Sequence, residues 1–345
     1  MRSARRFNIR LRRTSACAFV AAALTAIPSV ALACDLCAIY TATEELEGRT
    51  GVRLGVAEQY TQYTTERIDG HEVPNVFGEH LYSSNTQVFA GYQFNRRFGL
   101  QVNLPILVKS WRRVVGDGEI QESTRGGIGD LTLIGNVLAF DAVSDTGVFR
   151  FGLLGGLELP TGDAGFLKEE LQEGGGGGEA EAGLARPQHA DHEHETPSGV
   201  HGHDLTFGSG SVDGIVGGNL YWSYDRFFTT VSAQYKITTE GAFEYEFAND
   251  LSWLGGPGYY VWLEHGYTLG VQALLSGETK GNDHQAGHKL DDTAVTTLYV
   301  GPGIDFTWGA NVSLDIEADL PVVQNDTSLQ IVPDFRLRGA VVWRF

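Results

Sequence analysis

The chain has little cysteine, little positive charge and no second long apolar run. Three cysteines occur in 345 residues, and 25 Lys and Arg stand against 43 Asp and Glu, a formal charge of −18. Binding to nucleic acid needs basic surface to displace counterions, so that class of partner is excluded. After residue 33 no apolar run approaches the roughly 20 residues of a membrane-spanning helix.

The apolar run that does exist is N-terminal. Six arginines precede Ala16–Ala33, which ends in Ala31-Leu32-Ala33. This is the order of a cleaved export signal, expected over residues 1–33; a single anchor helix is the alternative. Its removal takes the formal charge from −18 to −24. Cys34 and Cys37 then stand at the new N-terminus in "CDLCAIY". In an oxidising compartment a disulfide is the default, and a soft-metal site from two thiolates is a second option. Lipidation of Cys34 is a third, although Ala31-Leu32 makes a poor lipobox. No histidine follows Cys37, which excludes c-type haem attachment.

What is abundant is glycine, at 45 residues, and period-two alternation. Phe98, Leu100, Val102, Leu104 and Ile106 alternate with Gly99, Gln101, Asn103 and Pro105. Val312, Leu314, Ile316, Ala318 and Leu320 alternate with Ser313, Asp315, Glu317 and Asp319. Such alternation marks strands with two unlike faces. Twelve strands are expected, near 51–66, 84–95, 98–112, 128–140, 147–161, 212–223, 227–238, 243–262, 266–280, 294–308, 311–322 and 333–345. Their connections alternate between tight turns and longer loops, with 239–242 the one short exception on the long side. Short turns on one side and long loops on the other specify an all-β transmembrane antiparallel barrel of the outer-membrane kind, over residues 50–345. In lipid an exported sheet must close on itself, because every backbone polar group needs an internal partner. Trp222, Tyr224, Tyr259, Tyr260, Trp262, Trp308 and Trp343 are expected to form interfacial girdles. Glu58 follows Val52, Leu54 and Val56 in the outward register, so a bulge or an early exit from the membrane is expected there. The final "VVWRF", ending at Phe345, resembles the signal read by the bacterial outer-membrane assembly machinery.

Two stretches carry a family resemblance. "GIGDLTL" (Gly127–Leu133) opens one strand and "LELPTGD" (Leu157–Asp163) closes the next. Together they resemble outer-membrane barrel transporters of the phenol-degradation meta-pathway type. The resemblance implies a channel or transporter in the outer membrane and carries over no catalytic residues. Taken alone, Pro160 and Gly162 need only end a strand and make a turn.

Candidate chemistry lies in two places. The stretch "PQHADHEHETPSGVHGHD" puts His189, His192, His194, His201 and His203 in the longest loop, 162–211. Nine of the ten histidines fall on the long-loop side, and only His265 falls on the other. Imidazoles with nearby carboxylates suit Zn, Cu or Ni; a solvated acidic loop is the bland reading. The second place is the lumen, where Glu158, Asp250, Asp305, Asp315, Glu317 and Asp319 are expected to point inward. With them come Asp213, Glu244 and Glu246, against Arg53, Arg150, Lys236, Arg336 and Arg338. Acidic rings favour cations, whereas cross-lumen pairing would seal the barrel. Residues 34–49 are a periplasmic or plug segment by position alone. The expected function is a channel for a small solute or divalent metal ion, with metal captured at the histidine loop and no cofactor required. A closed metal-binding or structural barrel is the alternative, and a hydrolase at the barrel rim is the third reading. The partners expected are outer-membrane lipid, the assembly machinery and the solute.

Overall fold

Alternating apolar and polar side chains need a sheet with two unlike faces, and this chain closes such a sheet into a barrel whose apolar face is the outer one. In the computed structural model, residues 50–116, 118–169, 198–264 and 266–345 are described. Twelve antiparallel strands form the wall. They are β1 (Gly51–Ile68), β2 (His80–Gln93), β3 (Phe98–Val115), β4 (two segments, Glu119–Ile128 and Leu131–Val143), β5 (Gly147–Leu159) and β6 (Asp213–Tyr224). The second half comprises β7 (Phe227–Ile237), β8 (Asp250–Glu264), β9 (Tyr267–Lys280), β10 (Val295–Trp308), β11 (Val312–Asp326) and β12 (Leu329–Arg344). β12 pairs with β1 from Arg53↔Arg344 to Ile68↔Leu329, which closes the barrel. The N–H of the terminal Phe345 donates to the Val52 carbonyl at 2.9 Å, so the last residue joins the closing seam.

The outward face is apolar: Val52, Leu54, Val102, Val216, Val271 and Ile316 are all exposed on the outside of the wall. Aromatic side chains crowd the short-turn end, where Trp222, Tyr224, Tyr259, Trp262, Trp308 and Trp343 are exposed as a girdle requires. Tyr260 departs from that expectation. It turns into the lumen, its hydroxyl 2.8 Å from that of Tyr221 and its ring stacked on Phe228 at 4.3 Å. Glu58 also departs from expectation. β1 has no bulge at Glu58; the register shifts come later, between Gln62 and Thr65. Glu58 stays on the outer face, where its carboxylate accepts hydrogen bonds from Ser84 Oγ and Thr86 Oγ1 on β2.

Three connections differ from the sequence reading. Residues 113–127, expected as loop, are mostly strand, because Glu119–Ile128 folds back on β3 from Val115↔Glu119 to Ile106↔Ile128. The connection after β7 is long, 238–249, so the short exception on the long-loop side does not fall there. The link after β11 is tight, with only Thr327 and Ser328 between strands. Glu244 and Glu246 therefore lie in the loop after β7, not on the barrel wall.

β4 is broken for a reason. Ile128 and Leu131 both face outward, so Gly129 and Asp130 form a bulge that swings Asp130 inward to 3% exposure. Below the bulge β4 pairs with β5; above it, among the described residues, the Glu119–Ile128 segment pairs with β3 alone. Loop residues cover this edge: a Cβ added at Gly127 would meet the Phe207 ring at 2.8 Å.

Candidate functional site: a loop limb docked in the barrel mouth

The longest loop, between β5 and β6, does not simply project outward. Its returning limb, 198–211, folds into the long-loop end of the barrel. Val200, Leu205 and the outgoing Phe166 pack on the wall residues Tyr63, Leu81, Trp111 and Ile331. Trp111 meets Phe166 edge-on at 5.5 Å. Burying such side chains drives docking by roughly 1.5–3 kcal/mol each. A neighbouring cluster of Leu167, Tyr245 and Phe247 ties in the loop after β7. There the Tyr245 hydroxyl donates to Asp283 Oδ2 at 2.6 Å, and Lys280 pairs with the same carboxylate at 2.5 Å.

Three polar anchors fix the limb. The first joins the two quoted motifs. Thr161 Oγ1 donates to the Gly129 carbonyl at 2.8 Å and accepts the Leu131 N–H at 2.9 Å. Asp130 Oδ1 accepts the Gly162 N–H at 2.8 Å, while its Oδ2 accepts the Ser209 N–H and hydroxyl at 2.8 and 2.9 Å. Gly162 has a packing reason beyond its turn, since a Cβ there would meet the Phe207 carbonyl oxygen at 2.5 Å and Gly208 Cα at 2.8 Å. The second anchor is Lys109 on β3, 2% exposed, whose ammonium donates to the carbonyls of Asp204 at 2.6 Å and Thr206 at 3.1 Å. The third is Glu79, which accepts the Val114 N–H, the Ser198 hydroxyl and the Gly199 N–H at 2.7, 2.6 and 2.9 Å.

Beside Glu79 lies Glu66, in the part of β1 that pairs with the short loop strand His71–Val73 and so overhangs the membrane. Burial, followed by the charge of Glu79 and a hydrogen bond to it, raises the Glu66 carboxyl to about 7.

The lumen below the limb is polar. Gln59, Asn85, Gln87, Gln101 and Asn103 are buried on the inner face. Of the expected acidic residues, Glu158 is paired with Lys236, which also lies 3.3 Å from Asp213. Glu317 and Asp319 both meet Arg338, at 2.9 and 2.6 Å. Asp305 and Asp315 are cross-strand partners on the lumen face, and Asp250 stands opposite Lys236 and Lys280. Arg336 pairs at 2.7 Å with Glu278, which was not among the expected acids.

Of the histidine loop, His201 and His203 lie on the docked limb, with Asp204 beside them; one ligand atom from each of the three lies within 4.8 Å of the others. His189, His192 and His194 lie outside the described residues, as do Cys34, Cys37 and the export signal. The sequence reading singled out none of Lys109, Asp130 or Glu79. The aspartate in "GIGD" was the one available signal, because a buried carboxylate at a glycine bulge needs donors from elsewhere.

No family model matches the chain, and no curated protein matches it. Among solved structures, an outer membrane channel from Pseudomonas putida F1 superposes with a TM-score of 0.55 at 15% identity, covering 86% of this chain and 96% of that one. The β domain of the Bordetella autotransporter BrkA gives 0.41 at 9% identity, covering 86% and 100%. The monoaromatic hydrocarbon channel CymD gives 0.38 at 8% identity, covering 90% and 95%. The fold is that of an outer-membrane β-barrel.

Proposed function

We propose that the protein is an outer-membrane channel that passes a small solute, with the docked limb narrowing its outer mouth. The observation that carries this reading is the interior. Below the limb the inner wall is lined by the amides of Gln59, Asn85, Gln87, Gln101 and Asn103, a polar surface of the kind a small solute crosses. The likeness in fold to the Pseudomonas putida F1 outer membrane channel supports it, as does the resemblance of "GIGDLTL" and "LELPTGD" to transporters of the phenol-degradation meta-pathway type. In this reading residues 1–33 are cleaved on export and the short turns face the periplasm. Phe345 is read by the assembly machinery, and the histidine-rich loop gathers divalent Zn, Cu or Ni. Single-channel recording of the purified protein in planar bilayers tests it: discrete conductance steps are expected, and a silent barrel overturns the channel.

The second reading is a closed, metal-binding barrel. It is favoured by the apolar cluster under the limb and by the ion pairs inside the lumen. The same recording separates the two.

A further inference from the structure

His201, His203 and Asp204 form more than an aromatic stack. The two imidazoles lie 5.3 Å apart and 24° from parallel, and His203 Nε2 is 3.5 Å from Asp204 Oδ1. The other Asp204 oxygen accepts the His201 N–H at 2.9 Å, which leaves Oδ1 turned toward the rings. His203 also stacks on Tyr245 at 6.4 Å. Stacking and the contact with Asp204 engage His203. They do not account for the His201 side chain, which faces the Asp204 backbone N–H in a capping-box arrangement but makes no hydrogen bond there and leaves its buried Nδ1 without a partner. A buried, unpaired ring nitrogen beside a second imidazole and a carboxylate is the environment a metal ion would satisfy.

We propose that His201, His203 and Asp204 bind one divalent transition-metal ion, and that the bound ion holds the limb in the barrel mouth and lowers conductance. Two imidazoles and a carboxylate suit Zn, Co, Ni or Cu and leave a position for water. Tetrahedral binding would bring the donors from within 4.8 Å to about 3.3 Å of one another, a change that side-chain rotation supplies. The site is largely preorganised. Lys109 holds the carbonyls of Asp204 and Thr206, and Val200 and Leu205 are buried on either side of the three ligands. The ordering cost that a free histidine tract would meet on binding is therefore already covered by docking. All three ligands lie on the limb, in and beside α1 (Gly202–Leu205), the turn that Lys109 clamps; docking orders that turn, so the ion binds the docked limb more tightly than a displaced one and stabilises it by linkage. The conductance half of the inference rests on the channel reading; the metal half does not.

The test uses the full-length protein, with Co2+ as spectroscopic probe and Zn2+ as competitor. It compares wild type, H201A/H203A, His203→Gln and H189A/H192A/H194A, each checked for an intact barrel by its heat-dependent gel migration. Wild type is expected to bind one Co2+ with a ligand-field spectrum that Zn2+ abolishes. H201A/H203A should lose more affinity than the about 10–100-fold that loss of an outer-shell partner costs. His203→Gln should fall between these two, and H189A/H192A/H194A should keep the spectrum. Zn2+ should lower wild-type conductance and leave H201A/H203A unchanged. A spectrum lost only in H189A/H192A/H194A overturns the proposed site while sparing metal capture by the outer tract. No binding in any variant overturns both. Metal binding at His201 and His203 without effect on a conducting barrel, or on a barrel that never conducts, overturns the regulatory half.

Discussion

Replacing Asp130 with alanine asks whether the limb is held by the joint between the two motifs. Asp130 is 3% exposed and accepts three hydrogen bonds, from the Gly162 N–H, the Ser209 N–H and the Ser209 hydroxyl. The hydroxyl can turn to Ser211, whose own Oγ lies 2.8 Å away, so its loss costs little. The two backbone donors have no such recourse, and each buried donor left unsatisfied costs about 1–3 kcal/mol. Asp130→Ala should thus weaken limb docking by about 4 kcal/mol, roughly a 1,000-fold change in the ratio of docked to displaced limb. Asp130→Asn keeps the shape and one acceptor oxygen, and should lose about half as much. Because the barrel ladder does not run through Asp130, the wall should stay intact, as seen in unchanged heat-dependent migration. Two assays read the limb. Amide hydrogen exchange over Phe207–Ser211 should accelerate in the order wild type, Asn, Ala, and open-channel conductance should rise in the same order. If Ala exchanged and conducted like wild type in an intact barrel, the joint would not hold the limb and the reasoning would be wrong.

Other expectations follow from the remaining anchors. Lys109→Met keeps the buried stem but leaves two carbonyls without their charged donor, so it should weaken docking by about 3 kcal/mol and raise conductance. Gly162→Ala puts a Cβ 2.5 Å from the Phe207 carbonyl oxygen; overpacking of about 1–3 kcal/mol should displace the limb without unfolding the barrel. Glu66 gives a pH dependence. Its carboxyl is raised to about 7 in the folded protein, so its contribution to docking is full below about pH 4.5 and is lost as pH rises through about 7. Conductance should therefore increase between pH 5 and pH 8, and Glu66→Gln should flatten that profile. Deleting Phe345 removes the residue whose N–H meets Val52 at the closing seam, and should lower the yield of folded barrel in the outer membrane.

The wall was legible because lipid enforces it. Runs such as Phe98 to Ile106 and Val312 to Leu320 can serve only a two-faced strand, and strand number follows from counting them. Local exceptions were less legible. Glu58 reads as an error in register until Ser84 and Thr86 on β2 supply its donors. Tyr260 reads as a girdle residue because nothing nearby in the chain announces Tyr221 and Phe228. The motifs were visible but their purpose was not, since the partner of Asp130, Ser209, is 79 residues away. The same distance hid the docked limb. Val200, Leu205 and Phe207 are three apolar residues in a polar stretch, too few to signal burial without the wall they meet.

In the proposed reading this barrel conducts and its docked limb sets how much. The most direct measurement is single-channel recording of wild type beside Asp130→Ala in planar bilayers, at matched protein and salt. Discrete openings are expected in both, larger or more frequent in the variant. Silence from both folded proteins would contradict it and leave a closed barrel in its place.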